Sequence, residues 1–210
     1  MNNRPATVKN ISFDAVTREI TVIIQAKGSP FINEPGGPGF PTLVNSAIIT
    51  EGLHFILEGR NTTLEVLREK GAQCRLVHIA THGSFRQDNP MFSSISLGNS
   101  QLSLFDLYQL DLPAELVTLS GCGTGLNVVV GGDELLGLVR GLLYAGAQGV
   151  LVTLWDVNDQ STAEFMKLFY EHLKTNPNKA QAVQHATAEI RKKYPHPYYW
   201  APFVLVGKYA

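Results

Sequence analysis

Four short runs dominate the hydrophobic pattern of the chain. Residues 76–80 read LVHIA, 116–120 LVTLS, 150–154 VLVTL and 203–206 FVLV. Each is rich in β-branched or aromatic residues and too short for a helix. Each is also apolar on consecutive positions, which fits strands buried on both faces of a parallel sheet covered by helices. Between and after them the period changes. Leu135, Val139, Leu142 and Leu143 recur at helical spacing, with Asp133 placed to cap the helix and Gly146 to end it. Thr162, Phe165, Phe169 and Leu173 predict a helix starting at a cap near Asp159, and Ala180, Val183, Thr187 and Ile190 predict another starting near Asn178. Upstream, Thr62 or Thr63 is placed to cap a helix ending near Lys70 and Gly71, and residues 43–58 carry apolar residues at helix-like spacing. Alternation of this kind predicts a three-layer α/β/α sandwich with a mostly parallel central sheet. Its strand–helix–strand unit over 116–154 should cross over right-handed.

The first forty residues differ. Residues 7–26 alternate loosely through Val8, Ile11 and Phe13 and then Ile20, Val22, Ile23 and Ile24, which reads as a strand pair. The stretch GSPFINEPGGPGFP at 28–41 reads as a loop or linker. It suggests a division into residues 1–41, a strand pair plus linker, and residues 42–210, the main domain.

Composition narrows the function classes. Of 210 residues, 44% are hydrophobic, enough for a sizeable core, and 17 Lys and Arg against 18 Asp and Glu leave a net charge of −1. That balance lacks the basic footprint of a nucleic-acid binder. The start MNNRPATVKN has no apolar h-region, and no run approaches the length of a membrane helix, so a cytoplasmic protein with no membrane association is expected. The two cysteines, Cys74 and Cys122, make neither a disulfide framework nor a zinc site, and a reducing compartment fits them.

The candidate chemistry sits just past two of the predicted strands, where α/β sheets bind their ligands. The first tip reads IATHG, with His82 followed by Gly83; the second reads LSGCGTG, with Cys122 between glycines. A thiolate is a strong nucleophile, and an adjacent imidazole favours it and protonates a leaving amine. Flanking glycines admit a substrate backbone, and the N–H groups of Gly83 and Cys122 are candidate donors to the oxyanion of acyl transfer. His78, four residues before His82, invites a metal reading. On a strand the two lie roughly 13 Å apart, too far for one ion, so no metal is expected and His78 reads as a core or supporting histidine. Cys74 reads as structural. Past the third strand, Trp155 and Asp156 are either a packed indole and a turn aspartate or the wall and acidic floor of a substrate pocket. An acidic floor would favour Lys or Arg before the cut.

The segments LVHIATHGSF, NPMFSSISL, LVTLSGCGTG, GGDELLGLVRGLLYAGAQGVLVTLWDVND and YYWAPFVLVG together resemble the CHAT domain, a caspase- and separase-like cysteine peptidase family. The resemblance covers roughly residues 42–207 and is strongest from 78 to 159. It implies a caspase-like fold, a dyad of His82 and Cys122 in that chain order, an oxyanion hole at Gly83 and the Cys122 amide, no cofactor and a protein substrate. The chain departs from the family pattern at Gly121 and Gly123, where many members carry alanine and glutamate. It departs again at Asp156, where proline is usual. These positions border the pocket implied by the family. Members are often fused to tetratricopeptide (TPR) repeats; with none in this sequence, a regulatory partner, possibly TPR-containing, is expected. Two other readings compete. The same fold could serve as a catalytically idle scaffold or signalling module. The glycines at 121, 123 and 125 also resemble the first motif of S-adenosylmethionine-dependent methyltransferases, although Leu119 stands where that motif has an acid.

Overall fold

The computed structural model describes residues 21–25, 54–58, 63–80, 83–84, 93–97, 100–120, 133–155 and 158–210. Six strands form the central sheet in the order β2-β1-β3-β7-β8-β9: β1 Thr21–Gln25, β2 His54–Glu58, β3 Leu76–Ala80, β7 Leu116–Ser120, β8 Gly149–Thr153 and β9 Phe203–Gly207. All neighbours are parallel except β9, which runs antiparallel to β8. A separate three-stranded antiparallel sheet is built from β4 Gly83–Ser84, β5 Ser94–Leu97 and β6 Ser100–Ser103.

The helices cover both faces, as the buried runs require. On one face, Val77, Ile79, Val117, Val150 and Val152 pack with Leu67 of α1 (Leu64–Gly71), Leu104 and Leu107 of α2 (Leu104–Leu107), and Leu138, Val139 and Leu142 of α3 (Asp133–Tyr144). On the other, Leu116, Leu151 and Phe203 pack with Phe165, Met166 and Phe169 of α4 (Asp159–Thr175) and with Ala182, Ala186 and Ile190 of α5 (Lys179–Lys193). Phe165 is fully buried and its ring stacks on that of Phe203 at 3.5 Å between centroids, which fixes α4 against the last strand. Burying one such ring contributes about 2–3 kcal/mol. The predicted three-layer α/β/α sandwich is therefore present.

Local chemistry explains the element ends. Thr63 caps α1, its hydroxyl accepting from Val66 N–H at 3.3 Å. The expected end of α3 at Gly146 holds: its φ of +110° is the left-handed conformation that glycine adopts without strain. There the N–H groups of Gly146 and Ala147 bond to the carbonyls of Leu143 and Leu142. The helix expected to start near Asn178 does so, and Asn178 is its cap. At α4 the cap is Asn158, whose Oδ1 accepts from Ser161 N–H at 3.1 Å, and Asp159 is the first helical residue instead.

The structure departs from or adds to the sequence pattern in three places. The helix predicted over 43–58 is a strand in its last part, 54–58; Phe55, Ile56 and Leu57 are a consecutive apolar run that fills an edge position parallel to β1. Residues 43–53 lie outside the described residues. The second half of the strand pair read over 7–26 contains β1, which is flanked by parallel neighbours, β2 and β3; residues 7–20 lie outside the described residues. A strand on the N-terminal side of the 28–41 stretch thus belongs to the sheet whose other strands follow that stretch. Residues 83–101, to which the hydrophobic pattern assigns no element, contain β4, β5 and the start of β6.

Candidate functional site at the carboxyl ends of β3, β7 and β8

The site is built on three neighbouring parallel strands. Ala80, the last residue of β3, is the register partner of Ser120, the last residue of β7. Leu119 of β7 is paired with Val152 of β8, so Ser120 and Thr153 end their strands at the same level. Three carboxyl tips therefore lie side by side on one edge, about 5 Å from strand to strand. His82 and Cys122 lie outside the described residues, as does Asp156. The covalent chain places His82 two residues past Ala80 and Cys122 two residues past Ser120. Two residues span at most about 7 Å, so the strand ends allow an imidazole and a thiol to meet in hydrogen-bond reach.

Gly83 opens β4 and is the register partner of Ile95 in β5, so the segment after His82 leads directly into the small sheet. Trp155, two residues past β8, is half-buried and its indole N–H donates to the Tyr198 carbonyl at 3.1 Å. That bond ties the end of β8 to the 3-10 turn Pro197–Tyr199. Aromatic rings surround the turn: Tyr199 lies 5.2 Å from the Tyr194 ring, and next to the turn the Arg191 guanidinium sits 4.7 Å over Trp200. Thr153 Oγ1, buried at the tip of β8, has no hydrogen-bond partner among the described residues.

Directly below the tips lies a buried polar group that sequence reading saw only in part. His78, 1% exposed in the middle of β3, has both ring nitrogens engaged: Nε2 by the Ser120 hydroxyl and Nδ1 by the Tyr170 hydroxyl at 3.1 Å. Tyr170 O–H in turn donates to Thr118 Oγ1 at 2.9 Å. Burial pulls the His78 pKa down to about 3 and pushes the Tyr170 phenol upward, so both are neutral at physiological pH. His78, expected as a core or supporting histidine, is a buried one with polar partners. Its partners carried one signal in the sequence, a histidine in an otherwise apolar strand, which needs a polar mate when buried. Which residue on α4 would supply it depends on the tertiary crossing. Cys74 is buried beside α1, its thiol directed to the Lys70 carbonyl at 3.0 Å, as a structural cysteine would be.

A family model for the CHAT domain matches residues 14–208. The match begins upstream of residue 42, in keeping with the place of β1 inside the sheet. Tetratricopeptide repeat protein 28 of Homo sapiens is 36% identical over 108 residues, covering 50% of this chain and 4% of that protein. Its Mus musculus counterpart is 29% identical over 191 residues, covering 72% of this chain and 8% of that protein. The chain thus spans less than a tenth of the length of these relatives. Among solved structures, the Arg specific cysteine proteinase gingipain R superposes with a TM-score of 0.62 at 14% identity, covering 91% of this chain and 46% of that one. The Saccharomyces cerevisiae separase in its complex with securin gives 0.59 at 17% identity, covering 91% and 12%. At these identities the likeness is one of fold, and the fold is that of caspase-like cysteine peptidases. Among the described residues, no helix is long and apolar enough to cross a membrane.

Proposed function

The chain belongs to the CHAT domain family, and on that premise we propose that it is a cysteine endopeptidase that cleaves a partner protein through Cys122 and His82. The observation that carries this reading is the register of β3 and β7. The two residues whose types suit nucleophilic acyl transfer follow adjacent strand ends at equal distance. In the first step the Cys122 thiolate adds to the scissile carbonyl carbon, forming a C–S bond and an oxyanion. The N–H groups of Gly83 and Cys122 receive that oxyanion. Collapse breaks the C–N bond, and the His82 imidazolium gives its proton to the leaving amine. Water then attacks the thioester, His82 takes its proton, and the thiolate departs as the acid product forms.

Trp155 and Asp156 are assigned to the wall and floor of the pocket for the residue before the cut, since β8 ends beside β7. No cofactor or metal takes part in this chemistry. A protein of this activity in the cytoplasm needs restraint, and a regulatory partner or joined domain supplies it. The TPR repeats in the names of the two relatives support a TPR-containing one. The same names favour a second reading, a regulatory module with an idle dyad. Of the two readings of the Gly121–Gly125 run, the family match favours the peptidase one over a methyltransferase.

Incubation with a diverse peptide library, with cut sites read by mass spectrometry, tests the proposal. Defined cuts are expected, and a basic residue before them would assign the floor to Asp156. An intact library, with and without a TPR-containing partner, would favour the idle module.

A further inference from the structure

The polar group under the strand tips suggests a use that rests on the dyad proposed above. We infer that Ser120, His78, Tyr170 and Thr118 form a buried hydrogen-bonded clamp that fixes the β3 and β7 tips and so positions His82 against Cys122.

The bonds form one continuous chain. Tyr170 has a single proton and donates it to Thr118 Oγ1, so its oxygen accepts from Nδ1–H of His78. A neutral imidazole with its proton on Nδ1 leaves Nε2 as an acceptor, and the Ser120 hydroxyl donates to it. Burial, which holds His78 neutral, is what allows this arrangement. Reversed throughout, with Thr118 donating to Tyr170, Tyr170 to Nδ1 and Nε2–H to Ser120, the same groups are satisfied; in either sense the ring cannot flip without breaking a bond in a dry site.

The location is what makes this more than core packing. The backbone ladder already joins β3 to β7 through five register pairs, and apolar residues of the same shape would hold the layers together as well or better. The clamp adds a specific cross-link at the catalytic end. Ser120 is the last residue of β7, two before Cys122, and His78 is four before His82. Tyr170 anchors the link to α4, where its ring meets Phe169 edge-on at 5.0 Å. Loss of one member leaves the tips paired by the ladder but free to shift by fractions of an ångström, a displacement that costs a dyad far more in rate than in stability.

Tyr170→Phe and Ser120→Ala each remove one hydroxyl and little volume. Two readouts apply to both variants and to the unaltered protein: kcat and KM on a cleaved peptide, and the pH profile of Cys122 alkylation with the modified cysteine mapped by mass spectrometry. The clamp predicts kcat lower by roughly 10- to 100-fold with KM within about twofold. It also predicts that the alkylation profile moves toward that of an ordinary thiol near pH 8.5. Circular dichroism melting accompanies both, and the variant that retains a cooperative transition is the one scored. Unchanged kcat and an unchanged profile in that variant overturn the clamp and leave the dyad standing. An ordinary Cys122 profile in the unaltered protein overturns the dyad itself, and the clamp with it.

Discussion

Replacing Cys122 with alanine should abolish peptide cleavage, lowering kcat/KM by roughly 10⁴-fold or more, while the melting temperature stays within about 3 °C of the parent. The asymmetry follows from where the residue sits. Cys122 lies beyond the last residue of β7, not within it, so the side chains that hold the sheet are untouched. These include Leu116 and Val117, both fully buried in β7. The chemistry, by contrast, has no substitute nucleophile. Cys74 is the other cysteine of the chain, and it is buried at the far end of β3, bonded to the Lys70 carbonyl. Steady-state cleavage of a library-derived peptide checks the first half and differential scanning calorimetry the second. Residual cleavage within tenfold of the parent would show that the sulfur is not the attacking atom.

The second large effect is a loss of stability in acid. His78 has an ordinary value of 6.5 that burial lowers to about 3 in the folded protein. Below pH 6.5 the unfolded chain takes up a proton that the folded chain refuses, so stability falls as pH falls. The contribution is fully present above about 6.5, declines between 6.5 and 3, and is gone below 3. Integrated over that window it amounts to roughly 5 kcal/mol, a large share of the 5–15 kcal/mol typical of a domain. Urea unfolding at pH 7, 5 and 4 should show the decline. His78→Gln, which does not titrate, should show a shallower one even though it starts less stable at pH 7. Comparing slopes separates His78 from the carboxylates that titrate in the same range. Equal slopes in the two proteins would mean that His78 is open to protons, and the buried network would then be wrong.

Much of this is legible in the sequence. The runs at 76–80, 116–120 and 203–206 read as strands because they are short, mostly apolar and rich in β-branched residues, too short for a helix that must bury both faces. The start of α1 at Thr62 or Thr63 is legible because a threonine side chain can satisfy the first free N–H groups of a helix. What failed had a physical cause. Residues 54–58 fall into a helical period because their three apolar positions, Phe55, Ile56 and Leu57, fit either period when read with their neighbours, and only the open edge of β1 decides for a strand. The small sheet of β4, β5 and β6 was missed because its strands are two to four residues long and rich in serine. At the site, His78 was legible as a buried histidine. Tyr170, 92 residues away, was not, because its register against β3 is set by the packing of Phe165 and Phe169 rather than by any local pattern.

The central claim is that one thiol and one imidazole act together at the ends of β3 and β7. The most direct measurement is trapping with a peptidyl acyloxymethyl ketone, the adduct located by mass spectrometry, in the parent and in His82→Ala. The account predicts a single adduct on Cys122, formed at least about 100-fold more slowly when His82 is replaced. Equal rates in the two proteins, or labelling that ignores Cys122, would contradict it.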